Sequence, residues 1–391
     1  MTYQSPSTLT DICMCAHNSI RHDARVQKEA ASLAGAGWRV IVIGIALTEN
    51  DLPPVEDLDG FTIWRVMPSL PPWTTRTSWG KLLRLLVAIP LLIERIRASR
   101  ARVFHAHDFP ALVLMALAGI WRRPVIYDSH ELFFDRWPPD SRYPLLPFLR
   151  MLRPLEKWLA RRAAGVIVTS AEQGPEMMRR LGIAEPVLVY NAVDLREMEA
   201  ARVTYPANGR RLIVHSGNLH VGRHLPELIE SLRYLPEDIA LVLMGSGPLQ
   251  APLTAQARAL KVEHKLIILP PVPIKQVAST QAQADAALVL VTSSTLHFDL
   301  AMANKFFEAV AAGLPIVSSP TTAAAAFMRR YDLGLLVDPT DPPAIAQAII
   351  AILEPAANAH YRANAVQARQ SLNWQAEERK LIALYQRVMG E

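Results

Sequence analysis

Twice along this chain, short apolar runs alternate with helical patterns in the order strand, helix, strand. In the first half the runs fall at 11–16, 39–45, 61–66, 103–106, 125–127, 165–169 and 187–190. The second half restarts at 211–216 and continues at 239–244, 265–269, 286–291, 315–318 and 334–337. Short, mainly apolar runs separated by helices suit parallel strands covered on both faces. Helical patterns lie at 24–36, 224–234, 248–261, 274–282, 305–312 and 343–353, and the first closes on Gly35-Ala36-Gly37, a glycine stop. The rhythm predicts two doubly wound α/β domains, and 391 residues leave room for both. The first is expected over 1–195 and the second over 196–374, with the polar stretch 196–210 as linker and a last helix within 375–391.

Composition narrows the function classes. Hydrophobic residues make up 51% and charged residues 20%, which supports sizeable cores and excludes general disorder. The net charge of +5 is mildly basic, but no helix-turn-helix, zinc-finger or RNA-recognition signature accompanies it. No nucleic-acid partner is expected; an anionic membrane surface and a phosphorylated substrate account for the charge equally well. Prolines cluster at 53–54, 68–72, 138–154 and 270–273, marking loops and element ends. Cys13 and Cys15 share a face of the first strand and read as buried thiols. Nothing suggests a disulfide framework, which fits a reducing compartment and a cytoplasmic location. Residues 1–10 are polar and carry no signal-peptide pattern. The longest apolar window, 82–93, is interrupted by Arg84 and Pro90 and is too short to span a bilayer.

Polar residues gather where the strands end, which is where open α/β sheets bind ligands. After the strand ending at Ser216 come Gly217-Asn218-Leu219-His220-Val221-Gly222-Arg223. Such a loop either makes a tight turn or brings backbone N–H groups and a basic side chain to a phosphate. Met244-Gly245-Ser246-Gly247-Pro248 follows the next strand and reads as a sharp turn, a nucleotide contact, or both. A loop then leads to a helix carrying Asn304, Lys305 and Glu308, a stop at Gly313 and a buried strand. That helix start suits a phosphate. Glu308, one turn in, reads as a solvated first-turn carboxylate or as an acceptor for ribose hydroxyls.

The first half carries Phe104-His105-Ala106-His107-Asp108 and Tyr127-Asp128-Ser129-His130-Glu131, each at the end of an apolar strand. His105 and His107 share a strand face, which permits metal ligation. No third ligand is evident at a fixed spacing, so no metal is expected. Arg21, His22 and Arg25, after the first strand, read either as solvated helix-start residues or as contacts for an anionic acceptor. The stretches 81–102 and 143–162 mix leucine-rich faces with basic residues, Arg84 among them, and Trp158. They read as core-facing helices or as helices lying at a membrane interface.

The segment 303–317 resembles the donor-site motif of retaining GT-B glycosyltransferases of glycosyltransferase family 4, and the likeness extends from Asp11 to about Asp338. The resemblance implies two Rossmann-like domains facing a cleft, with the last helix crossing back to the first domain. It implies a nucleotide-diphosphate sugar as donor, a saccharide or lipid-linked acceptor, retention of configuration and no required cofactor. Gly217, Asn218, Arg223, Gly245, Gly247, Val272, Asn304, Lys305 and Glu308 would line the donor site. Arg223 and Lys305 would stabilise the departing diphosphate, and His130 would contact the transferring sugar. Asp108, counted with these three among the catalytic residues, would flank the acceptor side with Glu131, Arg21, His22 and His107. Peripheral contact with the inner membrane surface follows from the same likeness and from the basic amphipathic stretches.

Two positions depart from the family pattern. Asn218 stands where an arginine is common, and Leu300 stands where many relatives carry a first glutamate, with Asp299 next to it. They motivate one alternative, a non-catalytic nucleotide-sugar-binding or scaffold protein; a second alternative within the same fold is a GT-B nucleotide-sugar epimerase.

Overall fold

The computed structural model describes residues 10–49, 51–75, 77–137, 149–198 and 202–391. They divide into two compact units. The first comprises the described residues of 10–134, 149–189 and 378–391, and the second those of 135–137 and 190–377.

The strands of the first unit are β1 (Ile12–Cys15), β2 (Val40–Ile45), β3 (Val55–Leu58), β4 (Phe61–Val66), β5 (Val103–His107), β6 (Val125–Ser129), β7 (Gly165–Val168) and β8 (Val187–Leu188). They form one sheet in the order β3-β4-β2-β1-β5-β6-β7-β8. Every neighbouring pair is parallel except β3 with β4. β1, β2, β5 and β6 are buried along their whole length, as strands covered on both faces are. β3 carries no apolar run: Val55, Glu56, Asp57 and Leu58 alternate exposed and half-buried on the edge. The strand order reverses between β1 and β5, the crevice where such sheets take ligands.

The helices of this unit are α1 (Ala24–Gly35), α2 (Ser78–Ser99), α3 (Asp108–Leu117), α4 (Arg153–Ala160) and α5 (Gln173–Leu181). α1 starts where the Asp23 carboxylate accepts from the Val26 N–H, a side-chain cap. α2 covers most of the first amphipathic stretch. It runs through Pro90 without a break, and its inward stripe is Arg84, Ala88, Leu92 and Ile96, each one turn from the last. Arg84, expected on the polar face, is buried. Its guanidinium donates to Thr74 Oγ1 at 2.6 Å and to the carbonyls of Leu47, Pro68 and Leu70 at 2.9, 3.3 and 2.9 Å. It thereby satisfies loop carbonyls that would otherwise lack partners. The outward face of α2 presents Trp79, Leu82, Leu83, Leu85, Leu86 and Leu91. Among the described residues, no helix is long and apolar enough to cross a membrane. Of the second amphipathic stretch, 143–148 lies outside the described residues.

The second unit holds β9 (Arg211–Ser216), β10 (Ile239–Met244), β11 (Leu266–Leu269), β12 (Ala286–Val289), β13 (Ile316–Ser318) and β14 (Gly334–Leu336). All neighbours are parallel, in the order β11-β10-β9-β12-β13-β14. Numbered within the unit this is 3-2-1-4-5-6, the Rossmann order, with its reversal between β9 and β12. The helices are α6 (Leu225–Ser231), α7 (Gln250–Ala259), α8 (Val277–Gln281), α9 (Leu296–Leu300), α10 (Asn304–Ala312), α11 (Thr322–Tyr331), α12 (Pro342–Ile352) and α13 (Pro355–Ala368). Leu241, Leu243, Leu288 and Val317 of the strands pack in one core with Leu228 and Ile229 of α6 and Ile345 and Ile349 of α12.

The last helix, α14 (Trp374–Met389), serves both units. Trp374 N–H donates to Val193 O at 2.9 Å in the second unit. Leu384 belongs to the first, where it lies so close to β7 that a Cβ on Gly165 would meet its Cδ1 at 2.8 Å.

The loops after β9 and β10 are laced together. Gly217 N–H donates to Met244 O at 2.8 Å and Leu219 N–H to Ser246 O at 3.0 Å. Gly245 has φ +149°, and a Cβ there would sit 2.0 Å from Gly217 O. Gly245→Ala therefore combines a strained φ with a backbone clash, and should cost about 2–4 kcal/mol in chemical denaturation. An unchanged midpoint would mean that the two loops are not held this closely.

Candidate active site

Two clusters of polar side chains form at the switch points, one in each unit. In the second unit β9 ends in His215 and Ser216, and α10 presents Lys305 and Glu308, one turn apart on the same face. His215 Nδ1 lies 3.2 Å from Leu288 O. A carbonyl only accepts, so Nδ1 carries the proton and Nε2 accepts from Lys305 Nζ at 2.8 Å. Burial, then the charges of Lys305 and Arg223, keep His215 neutral, well below the usual imidazole range. Burial and then Arg223 bring the Lys305 ammonium down to about 7, against the pull of Glu308. Arg223 is itself lowered by burial. Among the described residues neither Arg223 nor Lys305 forms an ion pair. The start of α10 adds backbone donors, because Ala303 at its N-cap offers no side-chain acceptor. Two cations and a helix start make a corner suited to an anion.

Glu308 is held beside that corner. Its Oε2 accepts from Ser216 Oγ at 2.9 Å and from Gln281 Nε2 at 3.2 Å. Gln281 Nε2 also donates to Ser216 Oγ at 2.8 Å. A Cβ on Gly217 would lie 3.1 Å from Lys305 Cε, so the glycine admits the lysine stem. A Cβ on Gly247 would lie 2.3 Å from Leu219 O. Close backbone approach thus accounts for Gly245 and Gly247 without a ligand. Asn218 and Asn304 are exposed, and Val272 is half-buried after β11. Asn304 Oδ1 accepts from Asn191 Nδ2 at 3.0 Å. Asp299 does not fill the place of a missing glutamate. Its two oxygens accept from Thr322 N–H at 2.9 Å and Thr322 Oγ1 at 2.7 Å, while Leu300 is buried.

In the first unit β5 ends in His107, α3 begins with Asp108, and His130 follows β6. Asp108 adopts φ +65°, a rare conformation for a residue with a side chain. In that pose its Oδ1 accepts from His130 N–H at 3.0 Å. Asp108 is buried, so it holds the His130 backbone from within. His130 Nε2 lies 3.1 Å from Asp128 Oδ2 and 3.0 Å from His107 Nδ1. Burial works against a charged His130, but Asp128 and Asp108 outweigh it and raise the imidazolium to about 10. His107 is pushed by burial and by His105 down to about 3. It therefore stays neutral and accepts from His130.

Three expectations are corrected here. His107, expected to face an acceptor, is buried under His130 and stacks on His105 at 4.2 Å between ring centroids. Arg25, read either as solvated or as a contact for an anionic acceptor, is buried too. Its Nε and Nη2 bind both oxygens of Asp128 at 3.0–3.1 Å, and Nη1 donates to Val189 O at 2.9 Å. The third correction concerns metal ligands. Glu29, His105, His107 and Asp128 bring ligand atoms within 4.8 Å of one another, so the fold supplies the carboxylates that the spacing lacked. The cation among them is the Arg25 guanidinium, 2.9 Å from Glu29 and 3.0 Å from Asp128. Arg21 and His22 are exposed, with Arg21 paired to Asp51 at 2.5 Å, and Glu131 is half-buried.

Sequence reasoning quoted Asp128 without giving it a role, and passed over Glu29, His215, Gln281 and Tyr385, whose hydroxyl lies 2.6 Å from His105 Nδ1. A signal existed for Glu29. Arg25, Val26, Glu29, Ala30 and Leu33 form one inward face of α1, spaced by three and four.

The chain matches the family model described as Glycosyltransferase Family 4 over residues 25–197 and the model described as Glycosyl transferases group 1 over 210–355. It is 26% identical over 287 residues to a glycogen synthase of Mycobacterium tuberculosis, covering 71% of this chain and 67% of that protein. It is 30% identical over 235 residues to a GDP-mannose-dependent alpha-(1-6)-phosphatidylinositol dimannoside mannosyltransferase of the same species, covering 57% of this chain and 58% of that one. The sucrose-phosphate synthase of Thermosynechococcus elongatus superposes over 97% of this chain and 99% of its own, with a TM-score of 0.77 at 19% identity. Two matched domains in tandem, each built on a doubly wound parallel sheet, place this chain in the GT-B glycosyltransferases of the family 4 type.

Proposed function

We propose that this glycosyltransferase moves a sugar from a nucleotide-diphosphate donor to a saccharide or lipid-linked acceptor, with retention of configuration. The observation that carries the reading is the pair Arg223 and Lys305, two partly buried cations that form no ion pair among the described residues, beside Glu308. A diphosphate supplies the missing negative charge, and a ribose supplies hydroxyls for the Glu308 carboxylate. As the bond from the sugar to the diphosphate breaks, charge grows on the phosphate oxygens. Arg223, Lys305 and the start of α10 are already in place to stabilise it. The acceptor hydroxyl attacks from the same face, and its proton passes to the departing phosphate oxygen. His130 is assigned to orient the transferring sugar; Asp108 positions His130, and Glu131, Arg21 and His22 are assigned to the acceptor side. The mannosyltransferase relative, named for its dependence on GDP-mannose and for phosphatidylinositol dimannoside, supports both substrate classes.

Peripheral membrane contact belongs to the same proposal. It is supported by the outward leucines of α2 with Trp79, and by exposed Met151, Leu152 and Trp158 around α4, where Arg162 stacks on Trp158 at 3.9 Å. Such faces bind anionic bilayers through apolar burial and basic side chains.

Thermal unfolding against UDP, GDP, ADP and their sugars tests the donor site. One base should raise the melting temperature by mass action, and Glu308→Ala or Arg223→Ala should abolish the shift. No shift with any nucleotide on intact protein would move the reading to the scaffold alternative, which buried Leu300 favours.

Lys305 sets a pH dependence. With its ammonium lowered to about 7, the free protein is largely uncharged there at pH 8, whereas a bound diphosphate favours the charged form. Binding at pH 8 should take up close to one proton, and affinity should fall as pH rises above 7, by up to about tenfold per unit. Below pH 6 Lys305 is already charged and adds no dependence. Calorimetry in buffers of different ionisation enthalpy reads the uptake, and Lys305→Met should remove it.

Sedimentation with phosphatidylglycerol vesicles should carry the protein down, and phosphatidylcholine vesicles should do so much less. Leu86→Ser with Trp79→Ala should cut the bound fraction several-fold, and equal sedimentation of the variant would assign the contact elsewhere.

A further inference from the structure

His130 does not stand alone at the end of β6. Its Nε2 is the ring atom that faces inward, 3.1 Å from Asp128 Oδ2 and 3.0 Å from His107 Nδ1. A carboxylate cannot donate, so the pairing with Asp128 requires the proton on Nε2. Asp128 is fully buried and carries its charge because Arg25, itself buried, binds both oxygens. Arg25 in turn donates to Val189 O, and its Nη2 lies 2.9 Å from Glu29 Oε1. Along this row exposure rises only at its end: Asp128 and Glu29 are at 0% and the His130 side chain at 17%. His130 Nδ1 is 3.7 Å from Asp108 Oδ2, beyond hydrogen-bond length, and is the ring's one uncommitted nitrogen among the described residues.

The charge on the ring decides what Nδ1 can do. A neutral ring protonated on Nε2 leaves Nδ1 as an acceptor, whereas a charged ring makes Nδ1 a donor. We propose that Asp128, held by Arg25, is a positioning residue that fixes the Nε2 proton of His130 and keeps the ring charged, so that Nδ1–H is offered to a hydroxyl or phosphate oxygen of the donor. The inference deepens the proposed function and rests on His130 meeting the donor.

The groups around the ring agree with this assignment. α1 and its cap bring Arg25, Glu29 and Asp23. β5 brings His105 and His107, α3 brings Asp108, the turn after His130 brings Glu131, and α14 brings Tyr385 through His105. Of these, Arg25 is the one fixed cation, and it already forks Asp128. Burial pushes Glu29 up to about 8, so it is mostly uncharged at neutral pH. Asp128 is carried well below the usual carboxylate range as Arg25 and His130 overcome the cost of burial.

The test is a histidine-labelled nuclear magnetic resonance titration of the full chain, with His130 assigned through His130→Gln. In the wild type both ring nitrogens of His130 should remain protonated through pH 8. In Asp128→Asn its midpoint should fall by about one to three units. A wild-type His130 that is neutral at pH 7, or a midpoint unmoved in Asp128→Asn, overturns the proposal. If Asp128→Asn leaves Arg25 unpaired and the protein does not fold, Arg25→Gln with Asp128→Asn removes both charges together, and the wild-type titration still decides. With a donor that turns over, Asp128→Asn should lower kcat about 10²-fold with donor KM nearly unchanged, and an unaltered kcat also overturns it. Absence of turnover with every donor would sink the proposed function, while the titration would still report on Asp128.

Discussion

A parallel strand covered on both faces offers polar chemistry no solvent except at its ends. That constraint organises both units. In the first, β5 and β6 run buried until they release Asp108 and His130. In the second, β9 runs buried until Ser216 and Gly217. Parallel strands all end on the same side, so each unit collects its polar residues in one place, at the reversal of strand order. The strand neighbours then decide which of them meet: His107 stands opposite Asp128 in the parallel register, and Ala287 of β12 stands opposite Val214 of β9.

The same constraint makes the buried charges costly. Arg25 and Asp128 are both out of water, and an ion pair of this kind often contributes little net stability over apolar residues of similar size. Removing one partner is expensive, because it leaves the other charge uncompensated. The pair is therefore better understood as fixing geometry than as holding the unit together. The donor corner works the opposite way. Among the described residues Arg223 and Lys305 form no ion pair, so the repulsion between them is relieved either by loss of the Lys305 proton or by the arrival of an anion.

Much of the fold was legible in the sequence because apolar runs report burial directly. β9 and β10 were read to the residue, and α1 and α10 to within one residue at either end. β3 was missed because an edge strand with two acidic residues has no run to see. α13 was missed because its buried positions are only Ala365 and Ala368. In the candidate site, Lys305 and Glu308 were legible as neighbours one helical turn apart. Asp128 was quoted in its motif but given no role of its own, since that role depends on Arg25 of α1 reaching it. Nothing local could announce Tyr385 beside His105, 280 residues away. Arg25 was misread for the complementary reason: a basic residue at a helix start looks solvated until its inward neighbours are counted with it.

The last helix begins with Trp374 in one unit and ends in the other. Its second part covers β7 through Leu384 and brings the Tyr385 hydroxyl to His105. The first unit is thus not a contiguous stretch of chain. A fragment stopping at residue 189 would lose the cover of β7 and the partner of His105 together. Any dissection of this protein into halves, or any exchange of its second unit for that of a relative, has to carry residues 378–391 with the first.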